Sequence, residues 1–195
     1  MKRIRSIPPS LHRNARQLKR LGRLVVGNDA IYRYDRKPQK ILLGTVYGGW
    51  MIAPASLDAN SIMFSFGVGN DISFDLEAIR KFEMTVHGFD PSPEAVRWIS
   101  GRTDLPSRYV FHPYGLGPKD GEVDFYTPVA GGMYSLNEAH QHVGESKISL
   151  PVKSLRSIFG ALNTRYVDIL KWISKAQNMP KSMQLSTTVC RLGSF

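Results

Sequence analysis

Two glycines one residue apart, Gly67 and Gly69, stand between an apolar run and a helix-patterned segment in FSFGVGNDISFD, residues 64–75. Asp90 follows 21 residues after the second glycine. A glycine turn leading from a strand into a helix lets a ligand approach backbone that a side chain would shield, beside amides the helix leaves unpaired. A carboxylate at the tip of the next strand can accept both hydroxyls of a ribose. Any tight turn can use glycine, but the spaced carboxylate turns the pair into a nucleoside site. The dinucleotide fingerprint asks for a third small residue three positions after the second glycine. Ile72 stands there instead, large and branched, and Asp71 puts a carboxylate at the helix start. That charge repels a pyrophosphate and attracts an ammonium. The turn therefore favours S-adenosylmethionine, which carries an ammonium and a sulfonium and no phosphate, over NAD or FAD.

These residues need a scaffold, and hydrophobic periodicity supplies one. Residues 61–66 read as a buried strand and 71–82 as a helix with Ile72, Leu76 and Ile79 on one face. Residues 85–89 form a second strand, and Ser92 or Asp90 caps a helix running to Ile99. Strands are expected over 108–112 and 122–127, with 147–152 pairing nearby, then a short helix over 154–162 and a strand over 166–171. Strands alternating with helices imply parallel pairing through right-handed crossovers, hence an α/β, Rossmann-like sheet. The preceding residues, 40–53, are apolar and aromatic and read as a segment packed onto this domain.

The chain has 195 residues, 42% of them hydrophobic, which suits one globular unit. Its formal charge of +10 is unevenly placed: residues 1–40 hold twelve of the 26 Lys and Arg and two of the 16 acidic residues, so the rest is neutral. A basic arm thus precedes a neutral domain. Leu11, Ala15, Leu18, Gly22 and Val25 recur at helical spacing, so 10–26 could form an amphipathic basic helix able to touch anionic surfaces. A nucleic-acid enzyme extends its positive patch over the docking face, and the neutral body argues against that role. No stretch approaches the length of an apolar membrane span, and residues 1–26 lack a signal-peptide centre, so a cytoplasmic location is expected. Cys190, the single cysteine, excludes an internal disulfide and a cysteine-based zinc site. His140 and His142 lie near Glu138 and Glu145 without a strong third ligand, and His112 reads as a buried histidine with one satisfied nitrogen. Residues 131–136, GGMYSL, read as a connecting loop, and Ser135 lacks the setting of a hydrolase nucleophile.

Four segments, FSFGVGNDISFD, HGFDPSPEAV, YVFHPYGLGPKDGEVDFY and LPVKSLRSIF followed by YVDILK, resemble in order and spacing the FkbM-type methyltransferases, over about residues 47–171. The resemblance implies the class I methyltransferase form of the Rossmann-like sheet and methyl transfer from S-adenosylmethionine, mostly to hydroxyl oxygens of small molecules or sugars. It implies that Gly67 and Gly69 cradle the methionine part, that Asp71 lies near its amino group and that Asp90 holds the ribose. It also implies that the loop of Tyr114, Gly115 and Leu116 lies near the adenine. Asp168, a cofactor-binding residue by the same resemblance, and Lys171 would lie on the strand that leads, in the family, into an acidic Asp-Ile-Glu-Gly signature at the reaction site.

The sequence departs from the family there. After YVDILK no Asp or Glu follows, and Trp172, Ile173 and Ser174 stand where the family is acid-rich. The expected organisation is a basic arm over 1–40, a partial methyltransferase domain over 41–171, incomplete on its C-terminal side, and a divergent, disordered tail over 172–195. A truncated or altered reading frame is the expected cause, and little activity is expected of the chain by itself. The alternative is a non-catalytic module that keeps the cofactor half and binds a nucleoside or a partner.

Overall fold

The computed structural model describes residues 39–128 and 143–172, Tyr47 and Ala55 apart. The basic arm with its expected helix, the 131–136 loop, His140, His142 and the tail from 173 onward with Cys190 lie outside the described residues.

A central parallel sheet is built from β3 (Ile62–Phe66), β4 (Thr85–Phe89), β5 (Tyr109–His112) and β9 (Ile169–Trp172), in the order β5-β4-β3-β9. The protein is therefore α/β with a mostly parallel central sheet, an arrangement compatible with a Rossmann-like fold. Alternation decides the two faces. Met63, Val86, Tyr109 and Ile169 belong to one apolar core with Ile72, Phe74, Ala78, Ile79 and Ile99. Phe64, Phe66 and Phe89 belong to the other with Ile158. Helices α1 (Ser73–Phe82) and α2 (Pro93–Ser100) thus cover one face and α3 (Leu155–Ala161) the other.

Local signals explain the helix ends. Ser92 caps α2, its hydroxyl accepting from the Ala95 amide, and Pro93 opens the helix without an amide to satisfy. At α1 the N-cap position, Ile72, has no capping side chain, and Asp71 Oδ1 accepts from the Ser73 amide at 2.8 Å instead. Helix α1 ends where Glu83 turns left-handed (φ 57°).

Two smaller sheets flank this frame. Residues 40–53 form a hairpin, β1 (Ile41–Leu43) against β2 (Trp50–Ile52), whose Leu43 and Ile52 enter the α1-side core. The second is ordered β6-β8-β7, with β7 (Gly121–Pro128) antiparallel and β6 (Gly115–Gly117) parallel to β8 (Val143–Ser154). The expected loop at Gly115 and Leu116 is thus a short strand, held because the long β8 has a second edge to offer. The last parallel strand also differs from expectation: β9 starts at Ile169 and runs through Trp172, while Val167 makes only an isolated bridge.

Candidate functional site

At the carboxyl end of β3 the chain bends through Gly67 (φ 74°) and Gly69 (φ 55°), a region closed to most side chains but open to glycine. Nothing lies within 4 Å of where a Gly69 side chain would start, so the bend faces open space. Asp90, directly after β4, is buried, and its Oδ2 accepts from the Gly69 amide at 2.9 Å. Its Oδ1 accepts from the Ser92 amide at 2.9 Å and the Ser92 hydroxyl at 2.6 Å. One carboxylate therefore fastens the glycine bend to the start of α2; Oδ1 already accepts two donors, and Oδ2 keeps lone-pair capacity for one more. Gly115 adjoins this corner, since a side chain there would meet Pro91 at 3.3 Å. The structure thus gathers Gly67, Gly69, Asp90 and Gly115 at one end of the sheet.

The bend is not a phosphate cradle of the usual sort. The Gly67 amide donates to Phe89 O at 2.9 Å, the Gly69 amide to Asp90, and the Asp71 amide to Val68 O at 3.3 Å. These three donors are consumed internally, and carboxylates stand on both sides of the bend. Gly69→Ala is expected to cost about 1–2 kcal/mol of stability from left-handed strain rather than from a clash, readable in urea melts.

Asp71 has structural partners as well. Besides the Ser73 amide it accepts the Thr45 hydroxyl at 3.1 Å, and Thr45 N donates to the Ser73 hydroxyl at 3.0 Å. Gly48 passes so close that any side chain would strike the Asp71 carboxylate. The β1–β2 connection is therefore laced to the start of α1. Partial burial pushes the Asp71 carboxyl up, but the Ser73 and Thr45 hydrogen bonds and the Lys171 charge together hold it below its ordinary value.

Tyr114 packs on the opposite face, its ring 5.6 Å from Phe89 and 5.4 Å from His112, with Lys153 Nζ 4.6 Å over it. Leu116 joins the same apolar core. Phe66, Phe89 and His112 occupy one register row and stack at 4.5 and 4.7 Å, a flat aromatic ladder along the carboxyl edge. His112 Nε2 lies 3.0 Å from His87 Nδ1, so one ring donates to the other. Burial, reinforced by His87 and Lys153, lowers His112 to about 4, and burial lowers His87 as well. The expectation for His112 is met in part: one nitrogen is satisfied by His87, but the residue is half-buried rather than buried. No group of three or more His, Cys, Asp or Glu among the described residues is placed to hold a metal.

Asp168 requires a correction. It precedes β9 at the amino end of the sheet, where its amide donates to Ile62 O at 2.8 Å and its Oδ2 accepts from the Ile62 amide at 3.0 Å. A parallel strand runs away from its first residue, so Asp168 is a full strand length from the bend and serves to dock β9 on β3.

Two features escaped the sequence reading. Asp75 of α1, Ser65 of β3 and Lys171 of β9 form a buried network beneath the bend: Lys171 Nζ lies 3.3 Å from Asp75 Oδ1, and the Ser65 hydroxyl lies 3.0 Å from both carboxylate oxygens. The signal was present, because Asp75 falls on the Ile72–Ile79 stripe that faces the sheet. The second is Tyr109, whose buried hydroxyl is packed over Gly88 and has no hydrogen-bond partner among the described residues. Burial, then the charges of Asp75 and Asp90, drive its ionisation far above the ordinary range. Tyr109→Phe is expected to raise stability by about 1 kcal/mol, seen as a higher Tm, since it removes an unsatisfied buried group.

Comparison with known proteins finds no family model that matches the chain, and no curated protein or solved structure that matches it.

Proposed function

We propose that the domain binds S-adenosylmethionine at the bend of Gly67 and Gly69, as a methyltransferase acting on the hydroxyl of a small molecule or sugar. The observation that carries the reading is the 2.9 Å link from the Gly69 amide to Asp90, which fixes a buried carboxylate at the rim of a bend open to ligand. Asp90 Oδ2 accepts a ribose hydroxyl there. The flanking residues suit this nucleoside better than a dinucleotide: three bend amides are already bonded within the chain, and Asp71 and Asp90 favour a cationic ligand. The strand order β5-β4-β3-β9 supports the class I methyltransferase form of the Rossmann-like fold, being the third, second, first and fourth strands of a doubly wound sheet.

When bound, the sulfonium supplies an already activated methyl group. The chain's own task is to hold and orient. The glycine bend admits the ligand, Asp90 sets its rotation about the ribose, and the aromatic ladder of Phe66, Phe89 and His112 gives the carboxyl edge a rigid floor. Calorimetric titration with S-adenosylhomocysteine tests the reading. Binding by the wild type and loss in Asp90→Ala is the expected result; equal affinity in both rejects Asp90 as the ribose partner, and absence of binding to a folded wild type rejects the cofactor.

A further inference from the structure

The β1–β2 hairpin buries one face and leaves the other apolar. Leu43 and Ile52 are inside, whereas Leu42 and Met51, directly opposite each other across the strands, are each 56% exposed. Val46, in the connection between them, is fully exposed. These are three of the five large hydrophobic residues the described structure leaves exposed, and they fall within ten residues of one another. A soluble surface gains nothing from such a cluster on a hairpin. Its sequence context gives it a partner, because the segment of residues 1–40 carries the chain's entire net charge of +10 and is joined directly to β1. Because the segment is joined to β1, its charged residues nearest the hairpin, Arg36, Lys37 and Lys40 among them, add to the attraction of any anionic surface the hairpin touches. Nucleic acid would use the charge and leave Leu42, Val46 and Met51 in water. An anionic bilayer uses both: its headgroups attract Lys and Arg, and its interface takes up short apolar side chains.

We propose that the β1–β2 hairpin is a membrane-contact element, inserting Leu42, Val46 and Met51 into the interface of an anionic lipid surface to which the basic segment draws the chain. The two contributions separate experimentally, since charge attraction is screened by salt and apolar insertion is not. The full chain is sedimented with phosphatidylcholine vesicles with and without phosphatidylserine, at low and at high salt. The variants are a triple replacement, Leu42→Ser, Val46→Ser and Met51→Ser, and a charge variant, Arg13→Gln, Arg16→Gln, Lys19→Gln and Arg20→Gln. The wild type is expected to partition at least about tenfold more strongly onto phosphatidylserine-containing vesicles and to remain partly bound in high salt. The triple variant should keep binding at low salt and lose it at high salt, and the charge variant should lose the preference for phosphatidylserine. An unchanged Tm and unchanged S-adenosylhomocysteine titration of the triple variant separate this outcome from a folding defect and from the cofactor reading. Equal salt resistance of wild type and triple variant, no preference for phosphatidylserine, or displacement from vesicles by duplex DNA with the triple variant binding that DNA as the wild type does, would overturn it.

Discussion

Replacing Lys171 by methionine is expected to lower the unfolding free energy by about 3–5 kcal/mol near neutral pH, measured in urea melts. Lys171 and Asp75 are essentially without solvent, at 1% and 0% side-chain exposure, and pair at 3.3 Å. Methionine matches the lysine stem, so packing against Phe74 and the sheet survives while Asp75 loses its counter-charge. Among the described residues only the Ser65 hydroxyl would remain to it. The double variant Asp75→Asn, Lys171→Met removes both charges, keeps an acceptor for Ser65, and should recover most of the loss.

The pH dependence of the single variant follows from the same burial. Burial pushes the Asp75 carboxyl up, against the opposing Lys171 charge and Ser65 hydrogen bonds. Without Lys171 it rises further, so the folded variant holds a proton that the unfolded chain releases above the ordinary carboxylate range. Stability is then fullest at low pH and falls as pH climbs toward the raised folded value, by up to about 1.4 kcal/mol per pH unit. A Lys171→Met protein as stable at about pH 8 as at about pH 5 would mean that the carboxylate has found another cation.

Asp90→Ala is expected to weaken S-adenosylhomocysteine binding about 100-fold. One charge-assisted hydrogen bond to a ribose hydroxyl, at about 1.5–3 kcal/mol, corresponds to about 10- to 100-fold at 1.4 kcal/mol per tenfold, and loss of the Gly69 anchor adds to it. The same variant also frees the Gly69 and Ser92 amides, so a control must separate the two roles. Ser92→Ala keeps the carboxylate and its hold on Gly69 but deletes the α2 cap, with an expected cost of about 1 kcal/mol in stability. If Ser92→Ala loses as much affinity as Asp90→Ala, Asp90 acts by holding α2 rather than by touching the ligand.

Most of the central frame was legible because it depends on short-range patterns. The apolar runs at 62–66 and 85–89, the Ile72–Ile79 stripe and the Ser92–Pro93 start of α2 mark their elements within a few residues, and the glycine bend and Asp90 are where their spacing puts them. What the sequence concealed depends on partners distant in the chain. Asp75 stands on the apolar Ile72–Ile79 stripe, but its partner Lys171, 96 residues away, is shown only when the fold brings the two together. Asp168 looked like a site residue because a motif fixes position along a strand, whereas only pairing shows which end of the sheet that position occupies. Gly115 and Leu116 looked like a loop because three residues carry no period; their strand exists only through β8.

The docking of β9 on β3 has a consequence for synthesis of the chain. Met63 pairs with Ile169, so one edge of β3 must wait for about a hundred more residues to leave the ribosome before its partner exists. At 5–20 residues per second, that interval is roughly 5–20 s. During it a nascent hydrophobic strand presents open amides and carbonyls, and the newborn protein is then most exposed to holdase chaperones and to pairing with strands of neighbouring polypeptides.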